Sequence, residues 1–261
     1  MKKIIVPVDF SDTSLNAARF AAQMFKGHDS VHIILYHMFE KEEDDVTTRN
    51  YLENIRIELE KKGDKNIECV TELGDDFIDS LTRLAYQKSV TLIVMGITGK
   101  SELRQMFVGS DTLKMVDQNV CPVMIIPPEA SFNEIKNVAF TSDFNDVVKT
   151  TPVLFIKSVL ELFKPSLHIV NVDNKHYVSL TEEFQQERAK MKEMFREYNP
   201  EFYFIGMNDF FEAIEQFVFD KKIDLIVTVP RYHSFLSIVF KGTHTKNLAF
   251  HSSVPILAAH E

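Results

Sequence analysis

Short apolar runs alternate with amphipathic segments along the first half of the chain. The runs are rich in Ile, Val and Leu, as is typical of strands buried in a parallel sheet. They predict five strands, at 3–8, 31–36, 67–71, 91–95 and 121–126. Between them, apolar residues recur at helical spacing, which predicts helices over about 13–25, from before Leu52 to Gly63, over 75–87 and over about 112–119. Strands that alternate with helices predict an α/β fold with a parallel sheet and right-handed crossovers.

The second half of the chain repeats the first. Three segments match in the same order at nearly one offset, which is 134 for the first match and 133 for the other two. The matches are 138–146 with 4–12, 225–227 with 92–94, and 254–257 with 121–124. Repetition of this kind indicates an internal duplication. It predicts two tandem domains, at residues 1–129 and 134–261, with the boundary near Pro128 to Asn133.

A glycine-rich stretch follows the fourth predicted strand. It reads Gly96-Ile97-Thr98-Gly99. A loop of nine residues, Lys100 to Val108, follows, and Gly109-Ser110 then leads into the fourth helix. Glycines let the backbone approach a ligand closely, and the first turn of a helix offers unpaired N–H groups to an anion. Ser110 could cap this helix or bond a phosphate oxygen. A Walker A loop is disfavoured because Val94 stands where that motif needs its first glycine.

The spacing Gly-x2-Gly-x9-Gly-Ser resembles the nucleotide-binding signature of the universal stress protein family. With the internal repeat, the resemblance extends over the whole chain to the tandem two-domain type of that family. It implies two Rossmann-like domains, of the adenine nucleotide alpha hydrolase-like kind, each with a five-stranded parallel sheet flanked by helices. It also implies that the last strands of the two domains pair within one chain as a pseudo-dimer, which could be monomeric or assemble into a further homo-oligomer.

The resemblance implies that the N-terminal domain binds ATP or another adenine nucleotide. The family uses the end of the first strand for adenine and ribose, and the main chain after the second strand for adenine. The predicted nucleotide-binding residues are therefore Pro7, Val8, Asp9, Met38, Met95, Gly96, Gly99, Lys100, Gly109, Ser110, Asp111 and Thr112.

Several of these residues have a structural alternative. Asp9 could be a turn or cap acid, Met38 an ordinary core residue at a strand end, and Lys100 a solvated lysine. Asp111 suits the first turn of a helix, but it would repel a triphosphate unless Mg2+ bridged the two.

The predicted second domain departs from the signature. Aligned on Gly109 and Gly242, its sequence has Val229 in place of Gly96 and Tyr232 in place of Gly99. These side chains would cover backbone that the first half leaves bare. The sequence therefore predicts one nucleotide site per chain, in the N-terminal domain.

Composition limits the classes of partner that we expect the chain to bind. A formal net charge of −9 argues against nucleic acid or an anionic membrane, and no apolar run approaches a membrane span. The two cysteines have no metal-ligand spacing, so we expect a reduced cytoplasmic setting. The nine histidines form no HExxH pair, and no metal is predicted; His32 and His168 are expected near equivalent positions of the repeat.

No nucleophile, base and oxyanion arrangement stands out, and no catalytic residue is predicted. The favoured function is an ATP-binding stress-response protein, a switch in which the nucleotide orders the loop at 100–108 and changes the surface offered to an unknown protein partner. Two alternatives stay open, a slow adenine-nucleotide hydrolase or transferase and an interaction protein with a vestigial site. The fold alone does not decide among them.

Overall fold

The computed structural model of the chain divides into two compact units, residues 1–133 and 134–261. It describes residues 2–61, 66–97, 110–173, 181–229 and 254–259. Each unit has its own core, and each is described separately.

The first unit contains a five-stranded parallel sheet in the order β3-β2-β1-β4-β5. The strands are β1 (Lys2–Pro7), β2 (Val31–Phe39), β3 (Ile67–Leu73), β4 (Leu92–Gly96) and β5 (Val123–Ile126). The helices are α1 (Asp12–Met24), α2 (Asp45–Lys61), α3 (Phe77–Lys88) and α4 (Ser110–Asp117), with a 3-10 turn at Glu42–Asp44. The predicted α/β fold with parallel sheets flanked by helices is confirmed.

Local sequence explains where α1 begins and how closely it packs. The hydroxyl of Ser11 accepts a hydrogen bond from the Ser14 N–H at 3.3 Å, which caps the helix. Ala17, Ala18 and Ala21 face the core and are almost fully buried. Small side chains on this face let the helix axis approach the central strands closely.

The second unit contains another five-stranded parallel sheet, in the order β8-β7-β6-β9-β10. The strands are β6 (Asn137–Thr141), β7 (Ser166–Val172), β8 (Glu201–Ile205), β9 (Leu225–Thr228) and β10 (Ile256–Ala258). The helices are α5 (Val147–Thr150), α6 (Val153–Phe163), α7 (Glu182–Met194) and α8 (Phe210–Lys221), with a 3-10 turn at Arg196–Tyr198.

The helix that follows the first strand is continuous in the first unit and divided in the second. Pro152 separates α5 from α6, and Thr151 before it has an extended backbone. Proline has no N–H to donate and disfavours a helical residue before it. The four-residue α5 and the eleven-residue α6 together therefore replace the single α1.

Several boundaries of the first unit differ from the sequence-based expectation, and three of them concern β2, the acidic stretch after it and α4. Strand β2 continues to Phe39 because it pairs with β3 from Ile33 to Phe39, so Met38 lies within the strand and not after it. The acidic stretch at 40–45, expected as a loop, contains the 3-10 turn and the first residue of α2. Helix α4 begins at Ser110, earlier than expected, which places Ser110 in its first turn.

No helix in the described part of the chain is both long and apolar enough to cross a membrane.

Candidate functional site

The carboxyl ends of β2, β1 and β4 lie side by side in the first unit. From β1 the chain moves outward through β2 to β3, and then returns to build β4 and β5 on the other side of β1. The strand order therefore reverses between β1 and β4. In open α/β sheets, the crevice outside the carboxyl ends at such a reversal is where ligands bind.

Asp9 forms the tight turn that leaves β1. Its Oδ1 atom accepts hydrogen bonds from the Ser11 N–H at 3.0 Å and from the Ser11 hydroxyl at 2.5 Å. Between these residues, Phe10 has a positive φ of 64°, a left-handed conformation that is rare for a bulky side chain. Asp9 thus has the turn-forming role that the sequence offered as its structural alternative.

The Asp9 carboxyl group is ionised over a wide pH range. Partial burial acts to raise its pKa, but hydrogen bonds from Ser11 and Ser14 more than offset that effect, so the pKa lies below its ordinary value. The residue as a whole is exposed. A charged acceptor is therefore present at the end of β1.

His37 is a site residue to which sequence reasoning gave no role. Its Nδ1 atom lies 2.6 Å from the carbonyl oxygen of Val8, and its ring packs against Phe10 with the ring centroids 4.6 Å apart. Tyr51 of α2 also packs against Phe10, with the ring centroids 5.7 Å apart. The repeat offered a signal for this residue, because His37 and Asn171 share the offset of 134 and both can donate a hydrogen bond.

The remaining predicted residues at the strand ends are mostly buried. Pro7, Val8 and Met95 are buried in the first unit, so they can meet a ligand only through exposed main-chain atoms. Met38 is half-buried, and its sulfur would lie 3.1 Å from a Cβ atom placed on Gly74. Its side chain therefore packs on the loop after β3.

Gly96 is required by helix packing. A Cβ atom on this residue would lie 2.3 Å from the carbonyl oxygen of Thr13 and 3.2 Å from the Ser14 nitrogen, both in the first turn of α1. Main-chain atoms cannot move away as a flexible side chain can. The absence of a side chain at Gly96 lets α1 approach the end of β4.

Helix α4 is anchored to the same strand end. The buried Thr112 hydroxyl donates a hydrogen bond to the Gly96 carbonyl oxygen at 3.3 Å. Asp111 is exposed in the first turn of α4 and forms an ion pair with Lys114 at 3.1 Å. Ser110 is the first residue of the helix. The predicted residues Gly99, Lys100 and Gly109 lie outside the described residues.

The second unit repeats this turn and keeps its aspartate and phenylalanine. Phe144 has a positive φ of 53°, and the Asn145 N–H donates to Oδ1 of Asp143 at 3.0 Å. The Asn171 amide donates to the carbonyl oxygen of Ser142 at 2.9 Å. All five positions stand at the offset of 134 from their counterparts in the first unit.

The surroundings of the second turn are more closed. Phe144 is 3% exposed and packs against three aromatic rings at centroid distances of 4.9, 6.1 and 5.7 Å. These rings belong to Phe184, Phe202 and Phe204.

The strand registers place His32 and His168 near, but not at, equivalent positions of the repeat. His32 lies opposite Lys3 of β1, whereas His168 lies opposite Ala139 of β6. The counterpart of His168 is therefore Ile34, two residues beyond His32.

Neither cysteine is activated. Burial raises the pKa of the Cys69 thiol to about 11 and that of the Cys121 thiol to about 12, so both are protonated at neutral pH. Among the described residues, no group of three His, Cys, Asp or Glu side chains is placed to hold a metal ion.

Comparison with known proteins supports the family that the glycine spacing resembles. Residues 1–127 match the model of the universal stress protein family. Two universal stress proteins of Methanocaldococcus jannaschii are each 26% identical to this chain, over 138 and 155 residues; each match covers 48% of this chain, and 81% and 94% of those proteins.

The structural comparison extends over both units. The crystal structure of a universal stress protein from Archaeoglobus fulgidus matches with a TM-score of 0.72 and 17% identity, over 99% of this chain and 98% of that one. At this identity the match shows a shared fold. Residues 1–127 therefore belong to the universal stress protein family.

Proposed function

We propose that the first unit binds ATP, or another adenine nucleotide, at the carboxyl edge of its sheet. The observation that carries the proposal is the hydrogen bond from Thr112 to the Gly96 carbonyl, which fixes the start of α4 at the end of β4. The start of α4 therefore lies at the carboxyl end of β4, beside the reversal of strand order where α/β sheets bind ligands. A helix N-terminus offers N–H groups and partial positive charge to phosphate, and the glycine spacing that leads into α4 resembles the nucleotide-binding signature of the family.

The ends of β1 and β2 suit the nucleoside part of such a ligand. Asp9 offers an ionised carboxylate that can accept hydrogen bonds from ribose hydroxyls. Met38 stands at the carboxyl end of β2, next to the end of β1, where its main chain is suited to contact adenine. The Asx turn fixes the position of Asp9 before a ligand arrives.

Mg2+ suits the part of the proposed site, at the start of α4, that would bind the phosphate groups of the nucleotide. Asp111 places a negative charge in the first turn of α4, where its pairing with Lys114 offsets only part of the repulsion toward a triphosphate. A hard divalent cation bound by phosphate oxygens and one carboxylate neutralises such a contact. We therefore infer that MgATP is the preferred form of the ligand, with Asp111 facing the cation.

In this proposal the protein is a cytoplasmic switch, and the bound nucleotide orders the loop at 100–108 and alters a surface for a protein partner. Limited proteolysis of the full chain, with and without MgATP, tests the switch. We expect slower cleavage between Lys100 and Val108 when nucleotide is present. Equal cleavage rates at saturating nucleotide would contradict the switch and leave the binding site itself in place.

The binding site is tested by identifying the nucleotide carried by the protein. Freshly purified chain is denatured, and the released small molecules are identified by mass and counted per chain. We expect about one adenine nucleotide per chain. Gly109→Val should abolish binding, because a branched side chain crowds the approach of phosphate to the backbone, whereas Gly242→Val, the matched change in the second unit, should leave binding unchanged. No nucleotide released, together with no binding of added ATP in calorimetry, would overturn the proposal.

A further inference from the structure

The hydrogen bond between His37 and Val8 replaces a bond of the strand ladder. Parallel strands bond through alternate residues, and the Val8 N–H donates to the Tyr36 carbonyl at 2.8 Å. The next bond of that ladder would join the Met38 N–H to the Val8 carbonyl. Within the described residues that main-chain bond is not formed, and the Val8 carbonyl accepts from the His37 side chain at 2.6 Å.

This bond fixes which ring nitrogen of His37 carries a proton. A carbonyl oxygen can only accept, so Nδ1 must be the donor. The donated proton stays in place whether the imidazole is neutral or charged. The role of the bond is therefore geometric.

The same replacement occurs in the second unit with another side chain. The Ser142 N–H donates to the Val170 carbonyl at 2.9 Å, and the Ser142 carbonyl then accepts from the Asn171 amide at 2.9 Å. An imidazole and a carboxamide share a donated hydrogen bond and little else. The feature common to the two units is therefore the bond to the main chain, and the ring of His37 is the variable part.

The bond has two consequences at the edge of the first sheet. It holds the carbonyl of Val8 and so fixes the direction in which Asp9 and the left-handed Phe10 leave β1. It also ends the ladder one step early, so that the Met38 N–H, which is directed toward the end of β1, is left for a ligand.

We propose that His37 is a positioning residue of the nucleotide site. By donating to the Val8 carbonyl it holds the Asp9 turn in place and keeps the Met38 N–H available to the adenine ring. This role rests on the proposed nucleotide binding, because without a nucleotide the Met38 N–H has no stated ligand.

Three variants of the full chain separate the donated bond from the ring. His37→Asn keeps a donor, as the second unit does at Asn171. His37→Phe keeps a ring that can pack on Phe10 and removes the donor, and His37→Ala removes both. Asn171→Ala is the matched control, since it deletes the equivalent bond in the second unit.

Binding of MgATP is measured by calorimetry, and folding of each variant is checked by its thermal transition. We expect His37→Asn to bind within about threefold of the wild type, and His37→Phe and His37→Ala to bind about tenfold or more weakly. Asn171→Ala should bind as the wild type does.

The possible failures can be told apart. Wild-type affinity in a folded His37→Phe variant would overturn the role of His37 and leave the nucleotide site standing. Binding by His37→Asn that is as weak as that of His37→Ala would also overturn it, because the ring would then be the active part. No binding by the wild type would overturn the proposed function, and the role of His37 with it.

Discussion

The turn after the first strand is nearly the same in the two units, while the packing around it differs. In each unit an aromatic residue, Phe10 or Phe144, takes a left-handed conformation after an aspartate whose carboxylate accepts from the chain two residues on. In each unit, a side chain of the strand that pairs with the first strand donates a hydrogen bond to the carbonyl of the residue before this aspartate. Bonds to main-chain atoms persist through changes of side chain because the atoms they join are present in every residue.

The glycine at the end of β4, unlike the turn, is not kept in the second unit. Gly96 gives room to the first turn of α1, and the corresponding Val229 has a side chain. In the second unit the helix after the first strand is divided at Pro152. A glycine of the nucleotide-binding signature thus has a packing reason of its own, and its presence is not by itself evidence of a phosphate.

The largest effect on stability is expected when position 96 of the first unit receives the valine that the second unit has at its equivalent position. Gly96→Val places a Cβ atom 2.3 Å from the Thr13 carbonyl, and the strain must move α1 or β4. We expect the first unit to lose about 3 kcal/mol or more of its free energy of unfolding, measured by denaturant titration. Val229→Ala in the second unit removes apolar atoms without a clash and should cost about 1 kcal/mol or less. Equal losses would show that α1 does not need the glycine.

The helix after the first strand is also capped differently in the two units. Ser11 caps α1 locally. In the second unit, the N–H of Val147 in α5 donates a hydrogen bond at 2.8 Å to the carboxylate of the buried Glu187, which belongs to α7. The ion pair with Lys190 and the bond from Val147 lower the pKa of Glu187. The second unit therefore depends on a long-range carboxylate where the first uses a neighbouring hydroxyl.

Glu187→Ala should accordingly destabilise the second unit by about 2 kcal/mol at neutral pH. Because the pKa of Glu187 is lowered in the folded state, its stabilisation is complete above the ordinary value of 4.5 and is lost as the pH falls through the folded-state pKa. The difference between variant and wild type, followed by chemical denaturation from pH 7 to pH 3, should shrink toward acid.

Glu183→Ala is the matched control, since Glu183 is an exposed glutamate in the first turn of the same helix. It should change stability by less than about 0.5 kcal/mol. A loss as large as that of Glu187→Ala would mean that charge on α7, and not the bond to Val147, stabilises the unit.

The smallest expected effect concerns His168. Its Nδ1 atom is buried without a hydrogen-bond partner among the described residues, 3.6 Å from a carboxylate oxygen of Glu201. Burial lowers the pKa of His168 below its ordinary value of 6.5, and Glu201 and Lys221 act in opposite directions on it. Stability is therefore lost as the pH falls below about 6.5, since the unfolded chain then binds the extra proton.

His168→Ile installs the residue that the first unit has at the equivalent position, the buried Ile34. We expect a gain of about 1 kcal/mol at pH 7 and a weaker decline of stability between pH 7 and pH 5, measured by chemical denaturation. Ile34→His is the reciprocal variant and should make the first unit acid-sensitive in the same range. An unchanged pH dependence in His168→Ile would assign the decline to other groups.

Most of the fold could be predicted from the sequence, because apolar periodicity and the repeat report directly on strands, helices and duplication. The five strands of the first unit all form, and the buried faces of α2 and α3 include Leu52, Leu59 and Leu81 as their spacing predicts. The end of β2 could not be predicted, since its last residues are held by pairing with β3 and not by their own pattern.

The candidate site was predictable in position but not in detail. Spacing indicated the strand end near Gly96 and a helix start after Gly109-Ser110, and the structure joins them through Thr112. The bond from His37 to Val8 and the left-handed Phe10 were not predictable from local sequence, because each depends on a neighbouring strand or turn.

The sequence by itself determined that this chain is a duplicated α/β protein with a glycine-rich strand end in its first half. Those properties are written in residue order, as periodicity, offset and spacing. Only the tertiary structure decided that Gly96 serves the packing of α1, that His37 closes the end of the β1–β2 ladder, and that the second turn is enclosed by aromatic rings. These depend on which atoms of distant segments come within a few ångströms of each other, and one-dimensional spacing does not report such distances.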